Sequence, residues 1–471
     1  MSFIGIDLGT SFIKGAVLDL EARQLRHIRR LPFPRQLPSA DPLLCEFDPD
    51  QILAVVRDFI NELSLCAPDC TGIVMCTQMH GMILINQRGE ARSNCLTWRD
   101  QRGLSPHPSG EGSYFDVMTR RISAQHRREL GNELLSGVTS CFLFWLAEQG
   151  KLEAGLIPVT MPDFVLSTLS GCPPSTDLTN AASHGLLNLA TREWHHGVIE
   201  ELGLSRLRWP TLRRQGDVVG HLPLGGAKVP CYAPVGDFQC ALVGSLLGPE
   251  EVSLNISTGS QVSRLTSGLS LGNYQTRPFF DGMFLNTFTH IPAGRSLTLL
   301  VELLGELAAA EGVTLRDPWA YIAREANQIG ETELAIDLNF FGGRYGTEGA
   351  ISHIKGENLK VGHVFRAAFE SMAENYYKLA LRIWPERGWQ NLVFSGGLAS
   401  KLEVLRRVIR QKFQSDFRMA PCAEDTLLGL LVLAMAFSGR AASVKVAMRE
   451  LRTSQPEFPK SDVISTATPL I

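Results

Sequence analysis

One short pattern, an apolar strand followed by a small polar corner and a second apolar strand, occurs twice in this 471-residue chain. The first copy spans residues 3–18 and turns at Gly9-Thr10-Ser11, and the second spans residues 254–265 and turns at Ser257-Thr258-Gly259. Because apolar runs interrupted by small polar residues are typical of hairpins, each copy predicts a pair of neighbouring strands. One copy in each half of the chain predicts two domains that are built alike and face each other.

The first corner combines residue types that bind a phosphate chain. Gly9 lets backbone N–H groups approach an anion, and the hydroxyls of Thr10 and Ser11 add hydrogen-bond donors. Asp7 repels phosphate, but a carboxylate can hold Mg²⁺ through water while the ion contacts phosphate oxygens. The same residue types also form ordinary tight turns, in which Asp7 would act as a cap. On this stretch alone, both interpretations are open.

Two further turns have a composition that suits a nucleotide. Aligning Gly9 with Gly259 sets Ser257 opposite Asp7, so we expect a second phosphate loop in which hydroxyls replace the carboxylate. The turn Gly396-Gly397 follows an apolar strand near the end of the second half. Because glycine has no side chain, a flat ring could lie directly against this backbone.

Length, charge and composition restrict the class of protein. At 471 residues the chain exceeds the usual size of a single core, which favours two domains. A formal net charge of −3 provides no basic surface for nucleic acid, and no apolar run is long enough to cross a membrane. The first strand begins at residue 3 and the ten cysteines are scattered, so we expect a cytoplasmic protein without a targeting peptide or structural zinc. Its oligomeric state, monomer or homodimer, is left open.

Two polar clusters lie close together in the first half, each after an apolar strand. Gln78-Met79-His80-Gly81 follows the predicted strand 72–76, and Trp98-Arg99-Asp100 comes shortly afterwards. Ligands bind at strand ends in open α/β sheets, so the two clusters predict a substrate site. The alternative is structural, since a lone histidine after a strand is commonly a satisfied core residue.

Asp237 follows a predicted strand and Gly236, and it precedes a short apolar stretch that predicts a helix. A carboxylate at a strand end can reach a bound hydroxyl group and accept its proton. An aspartate beside glycine is also a common helix cap. The residues alone leave both roles open for Asp237.

Taken in order, these motifs resemble those of the FGGY family of carbohydrate kinases, within the actin-like and hexokinase-like ATPases. The resemblance covers roughly residues 3–438 and includes residues 363–370, which are similar to the C-terminal signature helix of the family. It implies an α/β fold of two actin-like (ribonuclease H-like) domains with a cleft between them. We expect an N-terminal domain over residues 1–241, a C-terminal nucleotide-binding domain over 242–440 and a C-terminal tail over 441–471.

The resemblance also implies an activity and a set of site residues. The activity is transfer of the γ-phosphoryl group of MgATP to a primary hydroxyl group of a small-molecule sugar, with Asp237 as the catalytic base and Asp7 as the Mg²⁺ residue. The implied nucleotide contacts are Asp7, Gly9, Thr10, Ser11, Ser257, Thr258, Gly259, Gly396 and Gly397. The implied sugar contacts are Gln78, Met79, His80, Trp98, Asp100, Asp237 and Gln239.

Within the family, the motifs are most similar to those of the sedoheptulokinases. Thr97-Trp98-Arg99-Asp100, Asn180-Ala181-Ala182-Ser183 and Gly236-Asp237-Phe238-Gln239 carry this likeness. Xylulokinases typically have asparagine directly after the catalytic aspartate, where this chain has Phe238. The expected substrate is therefore sedoheptulose, and the alternative is a pentulose or another ketose.

Two other classes of protein share this type of fold. One is an ATPase similar to actin or Hsp70, whose partner is a protein, and the other is a sugar sensor that has lost its chemistry. A chaperone needs a substrate domain after the nucleotide-binding part, and only about 30 residues follow the last predicted core helix. Retention of Asp7 and Asp237 counts against a sensor, so a kinase is the favoured interpretation.

Overall fold

The structure is a computed structural model that describes residues 1–341 and 345–454. It divides the chain into two compact units. Unit 1 contains residues 1–246, 267–284 and 424–454, and unit 2 contains residues 247–266 and 285–423. The units are therefore discontinuous in sequence, unlike the expected domains 1–241 and 242–440.

Unit 1 is built on a mixed sheet that contains the first predicted hairpin. Ser2–Leu8 pairs antiparallel with Phe12–Asp19 and parallel with Cys70–Thr77. The short strand Val235–Gly236 also pairs parallel with the end of Cys70–Thr77. The strand order across the sheet is Val218–Leu224, Ala227–Tyr232, Cys70–Thr77, Ser2–Leu8, Phe12–Asp19 and Gln24–Pro32.

The helix Pro49–Leu65 shows why these residues fold as they do. Asp48 caps its N-terminus by accepting a hydrogen bond from the backbone N–H of Asp50, and Pro49 occupies the first helical position. Apolar residues at helical spacing then form one buried face, which packs on the sheet. That face consists of Ile52, Val56, Phe59, Ile60 and Leu63.

The other elements of unit 1 surround the sheet or form a second apolar core around Phe142 and Phe144. Its other helices are Tyr114–Arg121, Ala124–Glu129, Thr139–Glu148, Met161–Ser170, Leu178–Ser183, His196–Glu201, Asp237–Gly244, Asp425–Phe437 and Val444–Ser454, with short 3-10 turns at Arg102–Leu104 and Phe280–Gly282. Its short strands are Glu46–Phe47, Ile83–Ile85, Cys95–Leu96, Ile157–Val159, Ser175–Asp177, Leu187–Asn188, Glu193–Trp194, Thr211–Arg213 and Gln275–Pro278.

The helix Asp425–Phe437 belongs to unit 1, which corrects the expectation that residues 424–440 lie in the C-terminal domain. It packs against the helix Asp237–Gly244. The two backbones approach so closely that a Cβ added to Gly244 would lie 1.8 Å from the Asp425 carbonyl oxygen, and one added to Gly429 would lie 2.0 Å from that of Cys240. Only glycine permits this crossing.

The predicted tail is also wrong in its first part. Val444–Ser454 is a helix, and Val444, Ala447 and Leu451 on it are buried. Glu450 on the same helix forms an ion pair with Arg23. This helix therefore completes unit 1, and residues 455–471 of the expected tail lie outside the described residues.

Unit 2 repeats the central arrangement of unit 1. Glu251–Ile256 pairs antiparallel with Gly259–Thr266, as the second predicted hairpin requires, and parallel with Asn391–Ser395. Its strand order is Phe284–Pro292, Gly259–Thr266, Glu251–Ile256, Asn391–Ser395 and Asp416–Met419. The other elements of unit 2 are the helices Gly294–Ala310, Pro318–Gln328, Val361–Ile383, Gly397–Lys401 and Glu403–Phe413 and the strands Ala335–Asp337 and Ala350–Ser352.

The two hairpins differ at their tips. In the first, Asp7 lies within the strand and pairs across the hairpin with Lys14. In the second, the ladder ends with Ile256 opposite Ser260, so Ser257 lies in the turn itself. The expected correspondence between Asp7 and Ser257 therefore does not hold, because the second turn is tighter than the first.

Among the described residues, none of the helices combines the length and the apolar character needed to cross a membrane.

Candidate active site

Asp7 lies at the end of the first strand of unit 1 and is 3 % exposed. Its Oδ2 accepts a hydrogen bond of 2.7 Å from the Thr426 hydroxyl and lies 3.7 Å from Nζ of Lys14. Its Oδ1 is enclosed and has no hydrogen-bond partner among the described residues. Burial raises the pKa of Asp7, and Lys14 and Thr426 oppose that shift. A buried carboxylate oxygen without a donor is an available ligand for a cation.

More charged groups surround Asp7. Lys14 also lies 3.2 Å from Oε2 of Glu424, and Arg30 donates to Oε1 of the same carboxylate. Burial raises the pKa of the neighbouring Asp425 to about 6. Two cations therefore face several carboxyl groups, and an excess of acidic groups with an unused oxygen at Asp7 fits a Mg²⁺ ion.

Asp237 is the first residue of the helix Asp237–Gly244 and remains partly accessible. The N-cap of this helix is Gly236, so Asp237 occupies the first helical position and not the cap position. Burial, followed by the charge of Asp7, raises the pKa of Asp237 to about 7, although the Phe238 backbone N–H and Arg277 oppose the shift. The carboxyl group can therefore accept and release a proton near neutral pH, as a general base requires.

Helix Leu178–Ser183 positions the loop before Asp237. The Thr179 hydroxyl accepts a hydrogen bond of 2.9 Å from the backbone N–H of Gly236, and the Asn180 side chain donates to the Pro234 carbonyl oxygen at 2.9 Å. Asp177 caps this helix by accepting from the Thr179 N–H. Thr179 and Asn180 are therefore positioning residues that sequence analysis did not place beside Asp237.

Gln78 and Trp98 both contact the first predicted phosphate turn. The Thr10 hydroxyl donates to Oε1 of Gln78 at 3.2 Å and accepts from the Trp98 indole N–H at 3.0 Å. The Gln78 amide also donates to the Gly9 carbonyl oxygen at 3.3 Å. The structure thus brings together Gly9, Thr10, Gln78 and Trp98, while Ser11 beside them is exposed.

His80 and Met79 follow Gln78 at the same strand end. His80 has a φ of +72°, a backbone conformation rarely adopted by residues other than glycine, and its Nε2 lies 2.6 Å from Oε1 of Glu133. Met79 is buried, with its sulfur 3.5 Å from Nη1 of Arg277. Glu133 and Arg277 come from distant segments, and no motif identified either residue from sequence.

Two of the expected sugar contacts, Asp100 and Gln239, are fully buried and form hydrogen bonds within the protein. Asp100 is 0 % exposed, and its carboxylate accepts four hydrogen bonds, three from Arg102 and one from the Cys45 backbone N–H. Gln239 is also 0 % exposed and donates to the Pro278 carbonyl oxygen at 3.4 Å. A carboxylate with four donors has no lone pair left for a sugar, so this geometry favours a structural role for Asp100.

The predicted nucleotide residues of unit 2 also lie together. The Ser257 hydroxyl accepts a hydrogen bond of 3.2 Å from the Gly397 backbone N–H. Thr258 and Gly259 are exposed at the hairpin tip. The Ser257 carbonyl oxygen accepts a hydrogen bond from the Gly294 N–H, and the Thr258 carbonyl oxygen accepts one from the Arg295 N–H. Gly396 has a φ of +90°, and an added Cβ would lie 2.4 Å from the Ile256 carbonyl oxygen. This position requires glycine both for its conformation and for its space.

The chain is similar to known proteins both in sequence and in fold. Residues 2–244 match the N-terminal domain of the FGGY family of carbohydrate kinases. A sedoheptulokinase from Mus musculus is 24 % identical over 87 % of this chain and 92 % of its own length. The crystal structures of a ligand-bound xylulose kinase and of a gluconate kinase, both from Lactobacillus acidophilus, superpose with TM-scores of 0.80 and 0.82 at 18 % identity. Each covers 96 % of this chain, and the matches span 91 % and 92 % of those chains.

The superposed kinases share the arrangement of strands and helices seen in both units, so each unit has the predicted actin-like fold. The two superpositions establish a common fold, but at 18 % identity they do not identify the substrate of this chain. The match to the N-terminal domain covers more than half of the chain and includes Asp7 and Asp237. The chain therefore belongs to the FGGY family and is an ATP-dependent carbohydrate kinase.

Proposed function

We propose that this kinase phosphorylates a ketose, and that its substrate is sedoheptulose, converted to sedoheptulose 7-phosphate. The similarity to a sedoheptulokinase over nearly the full length of both chains supports this substrate. Phe238, directly after Asp237, differs from the asparagine expected of a xylulokinase. A pentulose is the second candidate, because a xylulose kinase from Bacillus subtilis is 26 % identical over 51 % of this chain.

The observation that carries the proposed phosphoryl transfer is the environment of Asp237. The carboxyl group is partly accessible at a helix start, directly after the N-cap Gly236, and has a pKa raised to about 7 by burial. A general base works best when its pKa lies near the working pH. We infer that Asp237 accepts the proton of the attacking primary hydroxyl group, and no other residue is assigned that role.

The remaining requirements of phosphoryl transfer are charge neutralisation and placement of the two reactants. A Mg²⁺ ion supplies charge neutralisation at the phosphate oxygens, and Asp7 would hold it through its unpaired Oδ1. Gly9, Thr10 and Ser11 in unit 1, and Ser257, Thr258 and Gly259 in unit 2, are the proposed phosphate contacts. Gly396 and Gly397 are the proposed adenosine contacts, because neither has a side chain that could block a planar ring.

The sugar contacts are proposed in revised form. Trp98 is 40 % exposed and offers an apolar wall, and the His80 side chain is 10 % exposed. Gln78 and Met79 line the same strand end, where Gln78 also braces the phosphate turn. Asp100 is proposed as a structural residue beside the sugar site, because its carboxylate already accepts four hydrogen bonds. Gln239 stays a proposed sugar contact through its Oε1, which has no hydrogen-bond partner among the described residues.

A panel of ketoses tests the proposal. The protein is incubated with ATP, Mg²⁺ and either sedoheptulose, D-xylulose, D-ribulose or D-fructose, and ADP release is measured. We expect release to depend on a ketose and to be fastest with sedoheptulose. Slow release that is independent of sugar would indicate an ATPase similar to actin or Hsp70, and sugar binding without release would indicate a sensor. Either result would overturn the proposed function.

A further inference from the structure

Four buried side chains form one hydrogen-bonded group, which we call the Glu133 cluster: Glu133, Arg277, His80 and Gln275. Glu133 is 1 % exposed and Arg277 is 2 % exposed. Nε and Nη2 of Arg277 donate to the two oxygens of Glu133 at 2.8 and 2.6 Å. His80 Nε2 lies 2.6 Å from the same carboxylate, and the Gln275 amide donates to it at 3.2 Å. One carboxylate therefore holds three partners.

The backbone fixes this cluster from two sides. The Thr276 N–H donates to the Gly131 carbonyl oxygen at 2.9 Å, and the Asn132 side chain donates to the carbonyl oxygens of Gly272 and Tyr274. Gly131 has a φ of +68°, and an added Cβ would lie 2.0 Å from the Thr276 carbonyl oxygen. The segment that carries Glu133 is thus bonded directly to the segment that carries Arg277.

The cluster also contacts the helix that begins at Asp237. The Arg277 guanidinium lies 5.2 Å above the centre of the Phe238 ring, and its Nη1 lies 3.5 Å from the Met79 sulfur. The Gln239 amide donates to the carbonyl oxygen of Pro278, the residue after Arg277. An arginine on an aromatic face and in a bidentate pair has little freedom to move.

The charges within the cluster compensate one another. Burial alone would raise the pKa of Glu133, but the Arg277 guanidinium and the hydrogen bond with His80 hold that pKa well below its usual value. Glu133 is therefore ionised and balances Arg277. Burial lowers the pKa of the nearby His184 to about 3, so this imidazole adds no positive charge.

The orientation of His80 follows from the same bonds. Because an ionised carboxylate only accepts hydrogen bonds, His80 donates its Nε2–H to Glu133, which assigns the Nε2–H tautomer to the imidazole. That tautomer leaves Nδ1 as a hydrogen-bond acceptor, and this nitrogen is neither enclosed nor bonded among the described residues. An acceptor at this position suits a sugar hydroxyl group and repels a carboxylate.

We propose that Glu133, locked by Arg277, is a positioning residue that presents His80 Nδ1 to the sugar as an acceptor, and that this compensated cluster restricts the kinase to uncharged sugars and excludes aldonates. The inference rests on the proposed function for the sugar site itself. It adds the class of acceptor that the site admits, and it assigns Glu133 and Arg277 to selectivity.

Charge variants of the pair provide the test. Glu133→Gln leaves Arg277 as an uncompensated cation, so we expect the KM for the ketose to rise about 10-fold or more and D-gluconate to become a competitive inhibitor. The double variant Glu133→Gln with Arg277→Met removes both charges, and gluconate inhibition should disappear again. Glu133→Asp keeps the charge and should keep gluconate excluded. The KM for ATP should stay within about 2-fold in all three variants.

A matched control comes from the second unit, where Arg418 donates to both oxygens of buried Glu251. Glu251→Gln removes one charge of a similar pair and should change neither the ketose KM nor gluconate binding. Binding of ketose and gluconate is also measured by calorimetry without ATP, so the result does not require turnover. Wild-type protein that binds gluconate as tightly as the ketose, or Glu133→Gln protein that still excludes gluconate, would overturn the inference. Absence of ketose turnover in wild-type protein would overturn the proposed function instead.

Discussion

Asp237 is the residue on which the proposed chemistry depends, and its surroundings determine how it should respond to substitution. No side chain other than this carboxylate is assigned to receive the proton of the sugar hydroxyl group. We expect Asp237→Asn to lower kcat by about 10²–10⁴, because general-base catalysis contributes about that factor. Steady-state kinetics and ATP binding by calorimetry measure the two effects separately. ATP affinity should be kept, and near-normal turnover would remove Asp237 from this role.

The pH dependence of activity follows from the same carboxyl group. Its pKa is raised to about 7, so the deprotonated base is scarce at pH 5 and predominant at pH 8. We expect kcat/KM for the sugar to rise with pH and to level off above about 7. A profile measured from pH 5 to 9 checks this expectation. A plateau that begins near pH 4 would show that Asp237 titrates normally.

Stability should change with pH in the opposite sense. The pKa of Asp237 is about 7 in the folded state and 3.8 in an unfolded chain, so ionisation of this group disfavours the folded state. The stability that the protonated group contributes is fully present below pH 4 and is lost as the pH rises towards 7. Asp237→Asn should therefore be more stable than wild type, and its advantage should grow by about 1–2 kcal/mol between pH 5 and pH 8. Denaturant unfolding at both pH values measures this difference. Asp58→Asn, on the exposed side of a helix, is the control and should show no such growth.

Asp7 has a distinct predicted phenotype. Asp7→Asn removes the charge beside Lys14 but keeps an oxygen that can accept from Thr426. We expect the Mg²⁺ concentration for half-maximal activity to rise about 10-fold or more, with sugar affinity largely kept. Titration of Mg²⁺ at saturating ATP and sugar measures the first quantity, and calorimetry measures the second. Lost sugar binding with unchanged metal dependence would contradict the assignment.

At the scale of elements, the strands were predictable wherever local composition determines them. Both hairpins follow from apolar residues on either side of a small polar corner, and Asp48, Pro49 and Asp50 identify the start of a helix. Residues 179–183 were harder, because their polar composition resembles a loop while Asp177 caps them as a helix. Glu133 and Arg277 were not predictable, since no local pattern shows that segments so far apart in sequence form an ion pair.

The predicted site residues divide in the same way. Gly9, Thr10 and Gln78 lie together because each follows one of two adjacent parallel strands, and adjacency of that kind can be anticipated from sequence. Asp100 also follows a strand, yet it is enclosed by Arg102 and Cys45. A sequence motif predicts the strand end at which a residue lies, whereas the contacts of its side chain depend on how several segments pack.

The turn at Gly396 offers a test of one strand-turn-helix element. Gly396→Ala places a Cβ 2.4 Å from the Ile256 carbonyl oxygen at a φ of +90°, so the turn or its neighbouring strand must shift. We expect a loss of stability of about 2 kcal/mol or more and weaker ATP binding. At Gly397 the same substitution meets no atom within 4 Å, and its stability should stay within about 0.5 kcal/mol of wild type. Equal losses at the two positions would contradict this account.

At the scale of the whole molecule, unit 1 is assembled from three separate stretches of the chain. The last stretch contributes Thr426, which hydrogen-bonds Asp7, and the second contributes Arg277, which pairs with Glu133. The expected boundaries at residues 241 and 440 missed this arrangement, because the amino-acid composition changes little where the chain passes from unit 2 back into unit 1. Residues that support the proposed chemistry therefore come from both ends of the sequence.

This arrangement predicts that the helix Val444–Ser454 matters for unit 1 although it lies beyond every sequence motif. Leu451 is 0 % exposed, and Leu451→Ala would leave a cavity beneath this helix. We expect a loss of about 2–4 kcal/mol in unfolding free energy, measured by denaturant unfolding, whereas Arg449→Ala on the exposed side of the same helix should cost less than about 0.5 kcal/mol. If residues from 441 onward formed only a surface tail, the two variants would be equally stable. A large difference between them means that truncation at residue 440 would weaken the unit that carries Asp7 and Asp237.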